Sequence, residues 1–182
     1  DNDLDFDLIN KGSQKYMLIS ELKVQLSWTA NVDLDLMAFY KCKNGDSGGV
    51  YSDMYSDHGT GSLTNFPFMQ LDQDAGVGAG EGSKVETLTI KRFDEIAEIY
   101  LVAMNFTDAS ADRKSKFTQF DGIIEVSNEK DENFKVFLDS RKEGNVAVFA
   151  RIEHSNDLMG AILHNESKVY SFSDFRKAIP GA

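Results

Sequence analysis

The sequence predicts a mainly β protein, a two-sheet β-sandwich with short connecting helices and a small C-terminal helix. Three observations carry this expectation. Apolar residues recur at every second position in one run after another, which places alternate side chains on opposite faces of a strand. The runs are short and bounded by Gly, Asn, Asp and charged turns, which leaves little room for crossover helices and disfavours a parallel α/β sheet. The 182 residues, 41% of them hydrophobic and including 13 Phe and 6 Tyr, are enough for one large core.

Taken in order, ELKVQLSW sets Leu22, Val24, Leu26 and Trp28 on one face and Lys23, Gln25 and Ser27 on the other, a half-buried strand. NVDLDLMAFYKC keeps Val32, Leu34, Leu36 and Ala38 on one face and sends Asp33 and Asp35 to the other, and the turn sequence KNGDSGG ends it. VYSDMYSD reads as a short aromatic strand. KVETLTI, EIAEIYLVAMNF, GIIEVSN, NFKVFLD, NVAVFARIEH and DLMGAIL follow as further strands, making eight or nine in all. IYLVAMNF is apolar on both faces, so it is expected at the centre of a sheet covered on each side. Short helices are expected at RFDEIAE, at TDASADRKSKF and near SFSDFRKA, where Ser171 or Ser173 would cap the helix and Pro180 would stop it. Alternation predicts that Leu22, Val24, Leu26, Trp28, Leu34, Leu36, Leu101, Val148 and Phe149 are buried. Phe149 stands opposite Val148, so both can be buried only if their strand is covered on two sides.

Residues 1–7, DNDLDFD, read as an acidic tail, and 8–182 as a single domain. The acidic start is the opposite of a basic signal peptide, and no apolar run approaches the length of a membrane span. The formal charge of −11 repels phosphate backbones, so nucleic acid is not expected as a partner. Cys42 is the single cysteine, which excludes an internal disulfide and suits a reducing compartment. None of His58, His154 and His164 stands in a signature that would pair with it as a catalytic base.

Two acidic groupings stand out. Asp33 and Asp35 lie on one strand face about 7 Å apart, close enough to lean toward one cation, although an acidic solvated face would look the same. LDQDAGVGAGEGSKVE places Asp72, Asp74, Glu81 and Glu86 around Gly76, Gly78, Gly80 and Gly82, and such glycines allow carboxylates and carbonyls to converge within a tight loop. The loop is not a dinucleotide fingerprint, a P-loop or an EF-hand: the third glycine, the Lys-Ser/Thr pair and the twelfth-position Glu are all missing. Asp53 with Asp57, and Asp108 with Asp112, are lesser clusters in which Asp also serves turns and caps. Zinc spacing is absent. Hard Ca²⁺ suits irregular carboxylate loops better than Mg²⁺, which demands an octahedron.

INKGSQKYML, ELKVQLSW, VDLDLMAF, VYSD…DHGTGSL, LDQDAGVGAGEG…E and EIAEIYLVAMNFTDA, in that order, resemble the TerD family of tellurite-resistance and stress-response proteins over most of residues 8–163. The resemblance implies a cytoplasmic, non-enzymatic β-sandwich that binds Ca²⁺ in acidic loops. Carried over by position, Asp33 and Asp35 match the family's DLD element, and Asp72 matches the Asp opening its Gly-rich loop. Glu81 and Glu86 match the acidic exit of that loop, and Asp108 matches the Asp after the central strand. With Asp74 these are the expected metal ligands, and the ion would tie the loop after Gly59 to the strand ends carrying Asp33 and Asp35. Protein partners in a stress-response complex are compatible with this reading, and membrane association is not expected. Two other readings are a Ca²⁺-dependent membrane-binding sandwich like the C2 domain and a small-ligand, cyclic-nucleotide-binding protein. The first needs apolar or basic loop tips, and the second needs a phosphate cradle that the sequence does not display.

Overall fold

The computed structural model describes residues 12, 14–18, 21–52, 59–72, 84–105, 115–130, 132–154 and 160–182. Twelve strands lie among them: β1 (Gln14–Leu18), β2 (Leu22–Trp28), β3 (Leu34–Cys42), β4 (Ser47–Val50), β5 (Gly61–Ser62), β6 (Met69–Leu71), β7 (Lys84–Ile90), β8 (Ile96–Asn105), β9 (Gly122–Asn128), β10 (Asn133–Leu138), β11 (Val146–Glu153) and β12 (Gly160–Tyr170). A single 3-10 turn, Phe117–Gln119, and one α-helix, α1 (Phe172–Ala178), complete the described elements. The strands form two six-stranded sheets, ordered β1-β12-β11-β8-β3-β4 and β10-β9-β2-β7-β6-β5. All their pairings are antiparallel.

The alternation read from the sequence translates directly into the main core between the sheets. Leu22, Val24, Leu26 and Trp28 of β2 meet Leu34, Leu36 and Ala38 of β3 and Leu101 of β8 there, each buried. All nine residues expected to be buried are buried. Val148 and Phe149 are both buried because β11 is covered on two sides, and the register irregularity between Val148 and Ala150 turns Ala150 to the same side as Phe149. Phe149 enters the main core, while Val148 packs on the other side of the sheet.

That other side is a second, smaller core. Met37 and Phe39 of β3, Val102 and Met104 of β8, and Val146 and Val148 of β11 pack there against Phe175 and Ile179. Helix α1 supplies Phe175. Ser171 caps the helix, its side chain accepting a hydrogen bond from the Asp174 amide at 3.1 Å. The chain after α1 is seated on β4: Gly181 has φ +83, and a Cβ there would run into the Gly48 carbonyl, so glycine is required on both counts. With apolar contacts on both faces, β8 is the covered central strand that IYLVAMNF predicts. The far half of the same outer face is charged, with Arg151 Nη1 3.0 Å from Glu98 and Arg151 Nε 3.4 Å from Glu166.

Some expectations change. RFDEIAE is not a helix: residues 94–95 form a turn and Ile96 already begins β8. Arg92 stacks 3.9 Å above the Phe68 ring, and the β-branched and aromatic run that follows selects the strand. Of VYSDMYSD only Val50 is in a strand, as the last residue of β4, which begins at Ser47 inside the expected turn KNGDSGG; Tyr51 and Ser52 are outside regular structure, and 53–57 lie outside the described residues. Most of TDASADRKSKF lies outside the described residues, and its last residue, Phe117, opens the 3-10 turn. No helix among the described residues is long and apolar enough to cross a membrane.

Candidate metal centre

The site is built where β3 outruns its neighbour. The last register pair of β4 with β3 is Ala38 with Val50, so Leu36 lies beyond the end of that ladder. A backbone N–H at such an edge needs an acceptor if it is buried. Glu86 of β7, in the opposite sheet, supplies it: the Leu36 amide donates to Glu86 Oε1 at 2.8 Å. Glu86 shares its strand face with Leu88 and Ile90, both in the main core, and is itself 2% exposed.

The turn from β2 into β3 fixes the other two acids. Trp28, buried at the end of β2, donates from Nε1 to the Val32 carbonyl at 2.8 Å, and the Val32 amide donates to Ala30 O at 2.9 Å. The chain therefore enters β3 in a set register, with Leu34 opposite Asn105 and Asp35 opposite Met104. Period two then puts Asp33 and Asp35 on the same side. Asp33 is partly exposed and Asp35 is 1% exposed.

As a result, Asp33, Asp35 and Glu86 each present an oxygen within 4.8 Å of the others. At that separation two full negative charges repel by about 3–4 kcal/mol for an effective dielectric constant of ~20. Three such groups, two of them almost wholly buried, call for protons or a multivalent cation. The donor set is all carboxylate oxygen, which suits a hard cation and not a thiophilic one.

The remaining predicted ligands are distributed differently. Asp72 follows β6 and is exposed; its Oδ1 accepts from the Thr87 amide at 3.1 Å, and its own amide donates to Thr87 O at 2.9 Å. It thereby extends the pairing of β6 with β7 next to Glu86 and is not one of the three converging acids. Asp74, Glu81 and Asp108 lie outside the described residues, as do Asp53, Asp57 and Asp112. Beside the site, Asn105 is fully buried and donates to Ser115 Oγ at 3.1 Å, which in turn donates to Asn145 Oδ1 at 2.8 Å. These residues tie the end of β8 to the start of β11. The sequence reading missed them, and their one signal was two Asn residues, each at the end of an apolar run.

No protein-family model matches the chain, and no curated protein matches it. Solved structures do match it, among them the following two. One is a homologue of telluride resistance protein (TerD) from Streptomyces coelicolor A3(2), with 16% identity, a TM-score of 0.55 and coverage of 85% of this chain and 92% of that one. The other is a protein of unknown function, with 14% identity, a TM-score of 0.55 and coverage of 87% and 95%. At these identities the likeness is one of architecture, reached over nearly the full length of both relatives, and the chain accordingly has a TerD-like fold.

Proposed function

We propose that the chain is a non-enzymatic calcium-binding module of a stress response, acting in the cytoplasm. The observation that carries the reading is the convergence of Asp33, Asp35 and Glu86 on one point where the two sheets meet. Three carboxylates offer between three and six of the roughly six to eight oxygens that Ca²⁺ takes, leaving water and backbone carbonyls to complete a shell of irregular shape. Mg²⁺ fits less well, because it needs near-octahedral geometry and keeps its water. The stress-response context is supported by the likeness to a TerD homologue, and the cytoplasm by a lone, buried Cys42.

Bound Ca²⁺ would offset the repulsion among the three acids, and the chain's own groups do the rest. Glu86 joins β7 to the Leu36 amide of β3, so an ion held by Glu86 and the two aspartates bridges the sheets. Binding is therefore coupled to the stability of the sandwich. Calorimetric titration at pH 7 and 0.15 M salt is expected to show Ca²⁺ binding and much weaker Mg²⁺ binding. A site held at about 100 times its dissociation constant adds about 2.7 kcal/mol, so excess chelator should lower the melting temperature measurably. An absence of binding heat together with identical melts in Ca²⁺ and in chelator would refute the reading.

A further inference from the structure

Under α1, against the outer face of the first sheet, there is a cavity of about 310 Å³. It is lined by Met37 and Phe39 of β3, Met104 of β8, and Phe172, Phe175 and Arg176 of α1, with contributions from Tyr51 and the chain after the helix. We propose that this cavity is a binding site for a small apolar monoanion, an aromatic or short aliphatic body ending in one carboxylate.

The helix dictates the arrangement. Phe172, Phe175 and Arg176 stand at i, i+3 and i+4, so one helix side presents two rings and a guanidinium together. Phe175 is 2% exposed and packs edge-on against Phe39 with ring centroids 5.4 Å apart, forming the floor. Phe172 is 49% exposed, an apolar ring at the rim with much of its surface still in water. Two thioethers and three phenyl rings make walls that adapt to an apolar guest, since methionine side chains are flexible and polarisable. Among the described lining residues, Arg176 alone has a charged side chain, and its planar fork matches a carboxylate in bidentate fashion.

Size and field narrow the class further. Ligand pockets run from about 300 to 1,000 Å³, so this one admits a small molecule and not a long acyl chain. The net charge of −11 opposes polyanions such as nucleoside phosphates, whereas a single negative charge can be met by the one guanidinium. The lining adjoins the acidic centre, since Met104 pairs opposite Asp35 and Met37 follows Asp35 by two on the same face of β3, so the titration is run at one fixed Ca²⁺ concentration and the methyl shifts then report the organic ligand alone.

The test is a titration of the full chain, labelled with ¹³C at its methionine methyl groups, with 4-phenylbutyrate and, separately, with uncharged 4-phenyl-1-butanol. The Met37 and Met104 methyl signals are expected to move in a saturable way with 4-phenylbutyrate, with a dissociation constant below about 1 mM. The Met69 methyl, fully buried in the main core, should stay in place. Arg176→Gln, at an exposed position, should weaken 4-phenylbutyrate binding by at least about fivefold and change binding of the alcohol by less than about twofold. The proposal is overturned by the lack of a saturable shift at Met37 and Met104, or by equal binding of acid and alcohol with no effect of Arg176→Gln. It is equally overturned if a capped, uncharged Phe-containing peptide shifts these two signals while 4-phenylbutyrate does not, which would assign the cavity to a protein partner.

Discussion

Asp33, Asp35 and Glu86 show how far single residues could be read. Asp33 and Asp35 were legible as a pair because strand alternation alone puts both on one face. Burial of Asp35 was not legible, since it depends on what covers the outer face of β3. Glu86 was legible as one of the acids around the Gly-rich loop, and the resemblance matched it as well; that it faces inward and accepts from Leu36 depends on the register between two sheets, which no local pattern encodes. We expect Asp35→Asn and Glu86→Gln each to weaken Ca²⁺ binding by at least about tenfold, or about 1.4 kcal/mol. Asp139→Asn removes the same formal charge from an exposed position after β10 and should change affinity by less than about twofold. Calorimetry on the three variants at 0.15 M salt decides the matter, because equal small losses would mean a diffuse field in place of coordination. A second expectation concerns alkali. Burial, followed by the charges of Asp46 and Glu95, raises the Cys42 thiol above its ordinary value; burial likewise raises Tyr40 and Tyr100. The folded chain then keeps protons that the unfolded chain releases. Stability should be undiminished by these groups below about pH 8.5 and should fall as pH rises through the unfolded thiol and then phenol ranges, near 8.5 and 10. Melting temperatures from pH 7 to 10.5 would show it.

At the scale of elements, strands with a wet face were the most legible. GIIEVSN corresponds to β9, KVETLTI to β7 and NFKVFLD to β10 within one residue, because each is a short run rich in β-branched and aromatic residues closed by polar turn residues, and every second position is buried. Strands that depend on partners were harder. The second half of β12, His164–Tyr170, carries a mixed pattern, and its strand form is imposed by pairing with β11. β5 spans two residues and exists through β6. Helix α1 was legible from Ser171 and Pro180, whereas its seat on the first sheet was not. Ser171→Ala should cost about 1 kcal/mol through loss of the cap. Phe175→Ala should cost about 3–5 kcal/mol, because it empties the centre of the second core. Urea denaturation monitored by Trp28 fluorescence separates the two magnitudes.

For the whole molecule, the two sheets are unequal. The first is apolar on the inside and, over half its width, on the outside as well, while the second turns Lys23, Gln25 and Ser27 to the exterior. The sequence disclosed the doubly covered strand but not the strand order, because half of the ten pairings join strands that are not consecutive, such as β1 with β12, β2 with β7 and β3 with β8. Amide exchange should follow this order: slowest in β8, β11 and β3, and fastest at the sheet edges β5 and β10. Comparable rates at the centre and the edges would contradict the packing described.

The pairing of β1 with β12 carries a consequence for synthesis. Leu18 faces Gly160, so the first strand's partner emerges about 140 residues later. At the roughly 5–20 residues per second of translation, β1 waits about 7–28 s on the ribosome before its neighbour exists. During that interval its backbone donors and acceptors face water or whatever strand comes near. The first sheet therefore closes last, and a nascent chain stalled before Gly160 is the form of this protein most prone to pair with a neighbour's edge.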